Sequence, residues 1–261
     1  MHRFYLPPER CAGETLRLDG REAHHALHVL RLKHGELVAV LDGIGKEFMC
    51  TVQDAGRSAV TLSVSLKNFI PAPPCSVTLL VGVPKGKIIE SIIQKAVELG
   101  ARRIVPILSE RVVTQLDDED AENKREKWQN VAIEAIKQCG AAWLPKVEAP
   151  ATIAEVGSES VRRSAPSAFS LQPSTFELSL VGSLQKERRH PREVFREFEL
   201  KHGRLPQSVG VWIGPEGDFT LEELQAIETA GARPITLGNL TLRVETAAIY
   251  CLSFLNYELS V

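Results

Sequence analysis

The chain has 261 residues with a net charge of −2, and 44% of its residues are hydrophobic and 25% charged. This composition excludes a disordered or fibrous chain and leaves room for one large domain or two modest ones. The near-neutral total gives no sign of a polyanionic partner, so any nucleic-acid surface must be local.

The first residues, MHRFYLPPERC, lack the apolar core of a secretory signal. No stretch approaches the roughly 20 apolar residues that cross a bilayer, so we expect a cytoplasmic protein without a membrane partner. The five cysteines are odd in number and never spaced as CxxC, which predicts reduced, mostly buried thiols. They are Cys11, Cys50, Cys75, Cys139 and Cys251.

Short β-branched runs alternate with turn residues near the start of the chain. The runs cover residues 36–41, 47–52 and 59–64, and Asp- and Gly-containing turns separate them. This pattern predicts a small antiparallel β-barrel over residues 1–70. The Pro-Ala-Pro-Pro segment 71–74 interrupts every pattern and predicts a linker before a second domain over residues 75–261.

The second domain alternates apolar strand runs with amphipathic helix patterns, which predicts an α/β fold with a parallel sheet covered on both faces. Residues 157–176, rich in Ser and Pro, predict a loop. Predicted strands cover residues 77–83, 103–108, 178–184, 209–213 and 234–237. Predicted helices cover residues 87–99, 121–139 and 191–201, a segment opening at Thr220, and about 245–258.

Neither GxGxxG nor GxxxxGK[ST] follows a predicted strand, which argues against a conventional dinucleotide site or a P-loop. Two other strand–glycine loop–helix junctions stand close together and predict one shared pocket. The first is Gly214-Pro-Glu-Gly217, followed by a capping box of Thr220 and Glu223; the second begins at Gly238. Glycine loops offer backbone groups to a ligand such as adenine. A plain tight turn and a helix-end ion pair between Arg243 and Glu245 remain open alternatives.

These two junctions carry a resemblance to a known family. The segments VWIGPEGDFTLEELQAI (211–227) and ITLGNLTLRVETAAIYCLSFL (235–255) resemble SPOUT methyltransferases of the RsmE type, which methylate N3 of one uridine in small-subunit ribosomal RNA. Residues 3–6 and 24–31 resemble that family's PUA-like domain. Further similar segments are residues 94–100, 104–111, 128–135, 181–184 and 191–194.

The resemblance implies a PUA-like N-terminal β-barrel followed by a SPOUT α/β domain with a C-terminal trefoil knot. It also implies S-adenosylmethionine as cofactor, a homodimer, and the small ribosomal subunit (16S RNA) as partner. The implied cofactor-binding residues are Ser183, Leu184, Ile213, Gly214, Pro215, Glu216, Gly217, Leu237, Gly238, Leu242, Arg243, Thr246 and Ala247.

Uridine N3 carries a proton at neutral pH, and a nearby cation favours its loss. Arg243 is the leading candidate, with Glu245 to orient it, although a salt bridge that only fixes the fold is the alternative. Glu216 is a candidate base or holds the cofactor's amine, unless it only caps its own turn.

Basic residues near the beginning of each predicted domain are candidates for the RNA-binding surface. The alternative is that these side chains only form solvent-exposed helix faces. His24 and His28 lie four residues apart, but no third ligand completes a metal site, so no metal is expected. The RNA candidates are Lys85, Lys87, Lys95, Arg102, Arg103 and Arg111, with Arg3, Phe4 (as a stacking ring), His24, His25 and Arg31 from the first domain.

Two positions depart from the family pattern, because Asn239-Leu240 and Ala141-Ala142 stand where relatives commonly carry an arginine. The alternatives are therefore a non-catalytic RNA-binding assembly factor, or a SPOUT enzyme acting on a ribose 2′-hydroxyl or on transfer RNA.

The basic run 186–192 is either an exposed loop or a phosphate clamp, and the acidic run 117–126 offsets the basic segments.

Overall fold

The computed structural model describes residues 1–111, 118–157, 176–185 and 187–259. The chain forms two compact units, one of residues 1–72 with 133–144 and one of residues 73–132 with 145–261. The units divide inside the proline-rich segment 71–74, but residues 133–144 pack with the first unit, which the sequence did not predict. Most of the Ser/Pro-rich segment, together with Lys186 and Asp117 of the charged runs, lies outside the described residues.

The first unit contains a five-stranded sheet in the order β1-β3-β4-β5-β2. Strand β1 pairs parallel with β3 and the other pairs are antiparallel, so the sheet is mixed rather than wholly antiparallel as predicted. Two register shifts between β4 and β5 are the irregularities that bend a sheet. The strands are β1 (His2–Tyr5), β2 (Thr15–Leu18), β3 (Leu37–Leu41), β4 (Lys46–Ala55) and β5 (Val60–Phe69).

A helix covers the core of this sheet. Helix α1 (Gly20–His24) continues as one π-helical turn over His25–Val29. Ala23 and Ala26 of this segment are buried together with Phe4, which is 0% exposed. The prediction that Phe4 stacks on RNA is therefore wrong, because neither face of its ring is accessible.

The second unit contains a parallel sheet in the order β12-β10-β11-β6-β7-β8, with β9 also paired to β7. All carboxyl ends of these strands therefore lie at one edge, where parallel sheets bind ligands. The strands are β6 (Ser76–Gly82), β7 (Arg103–Leu108), β8 (Lys146–Val147), β9 (Ala151–Thr152), β10 (Leu178–Gly182), β11 (Ser208–Ile213) and β12 (Ala232–Ile235).

The helices begin and end close to the predicted positions. Thr220 and Glu223 form the predicted capping box at the start of α6. Gly203 caps the end of helix α5, and its φ of 68° is left-handed and suits glycine. The helices are α2 (Ile88–Glu98), α3 (Asp118–Cys139), α4 (Ile153–Gly157), α5 (Pro191–His202), α6 (Leu221–Thr229) and α7 (Val244–Leu259).

Apolar faces hold these helices on the sheet. Helix α2 buries Ile89, Ile92 and Ala96, and it packs against α7, which also contacts β6. Among the described residues no helix is long and apolar enough to cross a membrane.

The cysteines are free thiols, as predicted. Burial raises the pKa of Cys50 and of Cys75 to about 11, which keeps both thiols protonated and unreactive at neutral pH. Cys139, the last residue of α3, is exposed.

Glu177 joins the beginnings of β10 and β11. Its carboxylate accepts two hydrogen bonds from Arg204, both 2.8 Å, and one from the Gln207 N–H, also 2.8 Å. Its own N–H donates to Ser208 Oγ at 3.0 Å. The Arg204 and Gln207 hydrogen bonds lower the pKa of the Glu177 carboxyl to about 2.

We expect Glu177→Gln to unfold more easily than the unchanged protein at pH 7. The depressed pKa means that this carboxylate stabilises the fold above its unfolded pKa of about 4.3, and that the contribution is lost as the pH falls towards 2. Urea unfolding at pH 7, 5 and 3 measures the difference, which should shrink with pH. Glu199→Gln, an exposed carboxylate on α5, is the matched control; a pH-independent difference for Glu177→Gln would contradict the assignment.

Candidate functional site

A cleft opens at the carboxyl ends of β10, β11 and β12, which are neighbours in the sheet. The open space among its lining residues is about 550 Å³, a figure that includes solvent at its mouth. We call it the glycine-loop cleft. It is lined by Gly182, Ser183, Leu184, Arg188, Ile213, Gly214, Pro215, Glu216, Asp218, Leu237, Gly238, Leu240, Thr241, Leu242, Val244 and Ala247.

The loop after β11 is a tight turn. The Asp218 N–H donates to the Pro215 carbonyl at 2.8 Å, and Asp218 has a left-handed φ of 61°. Its Oδ1 accepts the Phe219 N–H at 2.9 Å. A Cβ on Gly214 would lie 2.7 Å from that Oδ1 and 3.1 Å from Asp218 Cα, so a side chain at position 214 would displace Asp218.

The same loop lies directly against the end of β6. A Cβ on Gly82 would lie 2.5 Å from Pro215 N and 2.6 Å from Pro215 Cδ, closer than side-chain atoms pack. Only glycine at this strand end lets the β11 loop cross to β6.

The other two loops supply a mixed polar and apolar wall. Gly238 has a left-handed φ of 108°, its N–H donates to Thr236 Oγ1 at 3.2 Å, and a Cβ there would project into open space. Arg188, half-buried, donates from Nη1 to the Ser183 carbonyl at 3.2 Å. These loops therefore expose backbone groups beside Leu237 and a guanidinium.

A second cavity of about 560 Å³ lies at the ends of β6 and β7. We call it the basic cavity. Pro215 and Glu216 line both spaces, and Glu216 Oε1 accepts the Lys85 N–H at 3.1 Å. The lining residues are Val83, Pro84, Lys85, Gly86, Lys87, Ile89, Glu90, Arg111, Lys124, Lys127, Trp128, Pro215, Glu216 and Gly217.

A buried carboxylate ties the loops after β7 and β11 together. Glu223 accepts hydrogen bonds from Ser109 Oγ (2.8 Å), the Glu110 N–H (2.9 Å) and the Thr220 N–H (2.8 Å). Arg111 also donates from Nη1 to the Gly217 carbonyl. Because Glu223 has several donors, its burial needs no further partner.

The structure brings most of the cofactor-binding candidates together in the glycine-loop cleft. Three lie elsewhere: Gly217 lines the basic cavity, and Arg243 and Thr246 are exposed beside the cleft rather than in its wall. Those in the wall are Ser183, Leu184, Ile213, Gly214, Pro215, Glu216, Leu237, Gly238, Leu242 and Ala247.

Arg243 occupies the position before α7. Its carbonyl accepts the Ala247 N–H at 2.8 Å, and its neighbours Leu242 and Val244 both line the cleft. Within the described part of the chain, Arg243 and Glu245 form no ion pair with each other or with another residue. The predicted orienting contact from Glu245 is therefore not present, and neither is the alternative salt bridge.

Three RNA candidates of the second unit, Lys85, Lys87 and Arg111, lie together in the basic cavity. Lys95 lies outside it and pairs with Glu98 at 2.9 Å on α2. Arg103 pairs with the buried Glu148, and burial lowers the pKa of Arg102. Some of the basic side chains that the sequence suggested for RNA binding therefore line one cavity, and others form ion pairs within the protein.

In the first unit, His24 is exposed and its ring lies 4.8 Å from that of His28. His25 is half-buried, and Arg31 is exposed with a left-handed φ of 55°. Arg3 Nη1 donates to the Gln138 carbonyl at 3.5 Å. No group of three or more metal-ligating side chains occurs among the residues that the structure describes.

Sequence reasoning missed several lining residues of both spaces. In the cleft, Asp218 directly follows Gly217 and Leu240 lies two residues after Gly238. Arg188 lies within the basic run 186–192, which was a usable signal. In the basic cavity, Lys124, Lys127 and Trp128 come from α3, and no local pattern relates α3 to the β11 loop. The missed cleft residues are Gly182, Arg188, Asp218, Leu240, Thr241 and Val244.

Two family descriptions match this chain. Residues 71–256 match the RNA methyltransferase domain, and residues 18–65 match the RNA methyltransferase PUA domain. The ribosomal RNA small subunit methyltransferase E of Synechocystis sp. is 32% identical over 257 residues, which is 98% of this chain and 77% of that protein. The protein of the same name from Bacillus subtilis is 29% identical over 99% of this chain and 97% of that protein.

Solved structures agree with this match. A methyltransferase from Legionella pneumophila with bound cofactor SAM has a TM-score of 0.82 and 28% identity, covering 98% of this chain and 97% of that one. A ribosomal RNA small subunit methyltransferase E from Neisseria gonorrhoeae bound to S-adenosyl methionine has a TM-score of 0.79 and 25% identity. The match covers 99% of this chain and 98% of that one.

We predict that Gly82→Ala destabilises the second unit by about 1–3 kcal/mol and weakens ligand binding in the cleft, because Pro215 must move away from the new methyl group. Chemical denaturation and calorimetric titration with S-adenosylmethionine measure both effects. Ser76→Ala, at the other end of β6, is the control and should change neither. Unchanged stability and affinity in Gly82→Ala would show that the close approach is not required.

Proposed function

Since the chain belongs to the RNA methyltransferase family with an N-terminal PUA domain, we propose that it transfers the methyl group of S-adenosylmethionine to N3 of a uridine in small-subunit (16S) ribosomal RNA. The glycine-loop cleft is the observation that carries this proposal. Two structural relatives were solved with this cofactor, and curated relatives are named for the small-subunit RNA.

The cleft fits the cofactor chemically. An adenosyl group needs an apolar surface beside backbone donors and acceptors, and the loops at Gly214 and Gly238 offer both with Ile213, Leu237 and Leu242. Open space beside Gly238 leaves room for a flat ring. When bound, S-adenosylmethionine supplies an electrophilic methyl group on a sulfonium.

Arg243 is proposed as the residue that favours loss of the N3 proton. It precedes α7 between two cleft-lining residues, and its guanidinium has no ion-pair partner in the described residues. An uncompensated cation there stabilises negative charge on the O2–N3–O4 system of uridine and so lowers its pKa.

Glu216 is proposed to position groups on both sides of the β11 loop. One carboxylate oxygen accepts the Lys85 N–H, which leaves the other for the cofactor's amine or for a proton from the base. The loops otherwise act by orienting the reactants, since alignment of methyl and acceptor removes a large entropic part of the barrier.

A homodimer is part of the proposal. On α7, Tyr250 and Tyr257 are 48% and 76% exposed, and the Tyr250 ring lies 6.2 Å from that of Phe254. Leu184 and Leu240, at the mouth of the cleft, are also exposed. Since α7 begins at Val244 in the cleft wall, we propose that a second copy covers these exposed side chains together with the mouth of the cleft.

The trefoil knot and the compartment are proposed on the same basis. Helix α7 follows β12 yet packs against β6, three positions away in the sheet order, so the chain must return across the cleft loops. An enzyme of ribosomal RNA works in the cytoplasm, where its substrate is.

With labelled S-adenosylmethionine and purified small ribosomal subunits that lack the modification, the protein should produce N3-methyluridine on nucleoside digestion. A ribose 2′-O-methylated product, or transfer to transfer RNA only, would contradict the proposed acceptor. Absence of S-adenosylmethionine binding by calorimetry would contradict methyl transfer altogether.

Arg243→Ala should lower kcat about 100-fold, because the uridine anion loses its stabilising cation, while the dissociation constant for S-adenosylmethionine stays unchanged. Arg196→Ala, an exposed arginine on α5, is the matched control and should keep full turnover. Full turnover in Arg243→Ala would remove this residue from the mechanism.

Tyr257→Glu should convert a dimer into a monomer, because it places a charge in the proposed apolar interface. Light scattering after size-exclusion chromatography measures the mass. Leu200→Glu, which changes an apolar residue that is 82% exposed on α5, should leave the dimer intact. A monomeric unchanged protein, or a dimeric Tyr257→Glu variant, would contradict the α7 interface.

A further inference from the structure

We propose that the basic cavity is a binding site for one nucleotide of the substrate RNA, the nucleotide that flanks the methylated uridine. The inference rests on the proposed function and extends it from the cofactor to the way in which the RNA strand is held.

The cavity lining has more basic than acidic side chains, which favours binding of an anion. Its cations are Lys85, Lys87, Arg111, Lys124 and Lys127, and its acids are Glu90 and Glu216. Glu90 pairs with Lys127 at 2.7 Å, and Glu216 is engaged by the Lys85 N–H. Lys85, Lys87 and Lys124 have no ion-pair partner in the described part of the chain, so their charges are available to a phosphodiester.

The shape and polarity fit a nucleotide rather than a lone phosphate. The cavity volume of about 560 Å³ far exceeds what an inorganic anion fills. Val83, Ile89 and Pro215 form apolar walls, and Trp128, only 4% exposed, closes the floor. A sugar and base need such an apolar wall, while the phosphate needs the lysines at the rim.

The start of α2 adds to this charge. Lys87 is the N-cap residue and its side chain makes no capping hydrogen bond. Gly86, Lys87 and Ile89 line the cavity, so the positive end of the helix dipole of α2 lies at its wall.

The position relative to the cofactor explains why the occupant is the flanking nucleotide. A base must leave its stack to reach the methyl group, which isolates it from its neighbours. Among the described residues, Pro215 and Glu216 are the ones that line both the glycine-loop cleft and the basic cavity, so one nucleotide can occupy each side of the β11 loop. Holding the neighbour fixes the target uridine without contacting its base.

The test uses the full-length protein with Lys87→Glu and Lys124→Glu, and Lys201→Glu on α5 as the matched control. We expect the two cavity variants to raise KM for the small subunit about tenfold. For binding to a short uridine-containing RNA, the slope of log affinity against log salt concentration should become less steep by about 0.7 for each lost phosphate contact. Values of kcat and the S-adenosylmethionine dissociation constant should stay unchanged, and Lys124→Arg should bind like the unchanged protein.

Cavity variants that bind the RNA and methylate the subunit as Lys201→Glu does would overturn this site and leave the proposed function standing. RNA binding is measured without turnover, so the site is also tested if methyl transfer is absent. Binding of free uridine monophosphate that Lys124→Glu abolishes, with RNA affinity unchanged, would assign the cavity to a free nucleotide and contradict the proposal.

Discussion

The contact between Gly82 and Pro215 is the constraint on which both cavities of the second unit depend. A single methyl group at position 82 would collide with the Pro215 ring and nitrogen. Because the contact is possible, the loop after β11 crosses the carboxyl edge of the sheet to the end of β6. The loop then becomes a wall with a cleft on one side and a cavity on the other.

The two sides of this wall differ in chemistry. The cleft side presents glycines, aliphatic side chains and one half-buried arginine, which suits a neutral heterocycle with a polar edge. The other side presents lysines around an apolar floor, which suits a nucleotide with its phosphate. Two hydrogen bonds hold this wall from the cavity side: Glu216 accepts the Lys85 N–H, and Arg111 donates to the Gly217 carbonyl.

Local signals predicted the elements that place the cleft. The apolar runs of β6 and β11, the periodicity of α2 and the capping box at Thr220 need only neighbouring residues, and each is confirmed. The two glycine loops were also recognisable, since glycine directly after a strand usually marks a tight turn or a close approach of the backbone to a ligand. The cofactor assignment came from the resemblance, because spacing alone left a plain turn open.

Long-range packing was beyond the sequence patterns. Phe4 follows His2 and Arg3 and was a candidate ring for stacking on RNA, yet the parallel pairing of β1 with β3 places it in the core. Similarly, Trp128 and Lys124 of α3 reach the cavity beside Gly217 only through the fold. The net charge of −2 concealed this concentration of lysines, because it averages an acidic stretch with a basic cavity.

Nucleoside mass spectrometry of 16S ribosomal RNA from a strain that lacks this protein measures directly whether it makes N3-methyluridine. We expect loss of one N3-methyluridine and its return when the unchanged chain is supplied. An unchanged N3-methyluridine content in the deletion strain would contradict the proposed function.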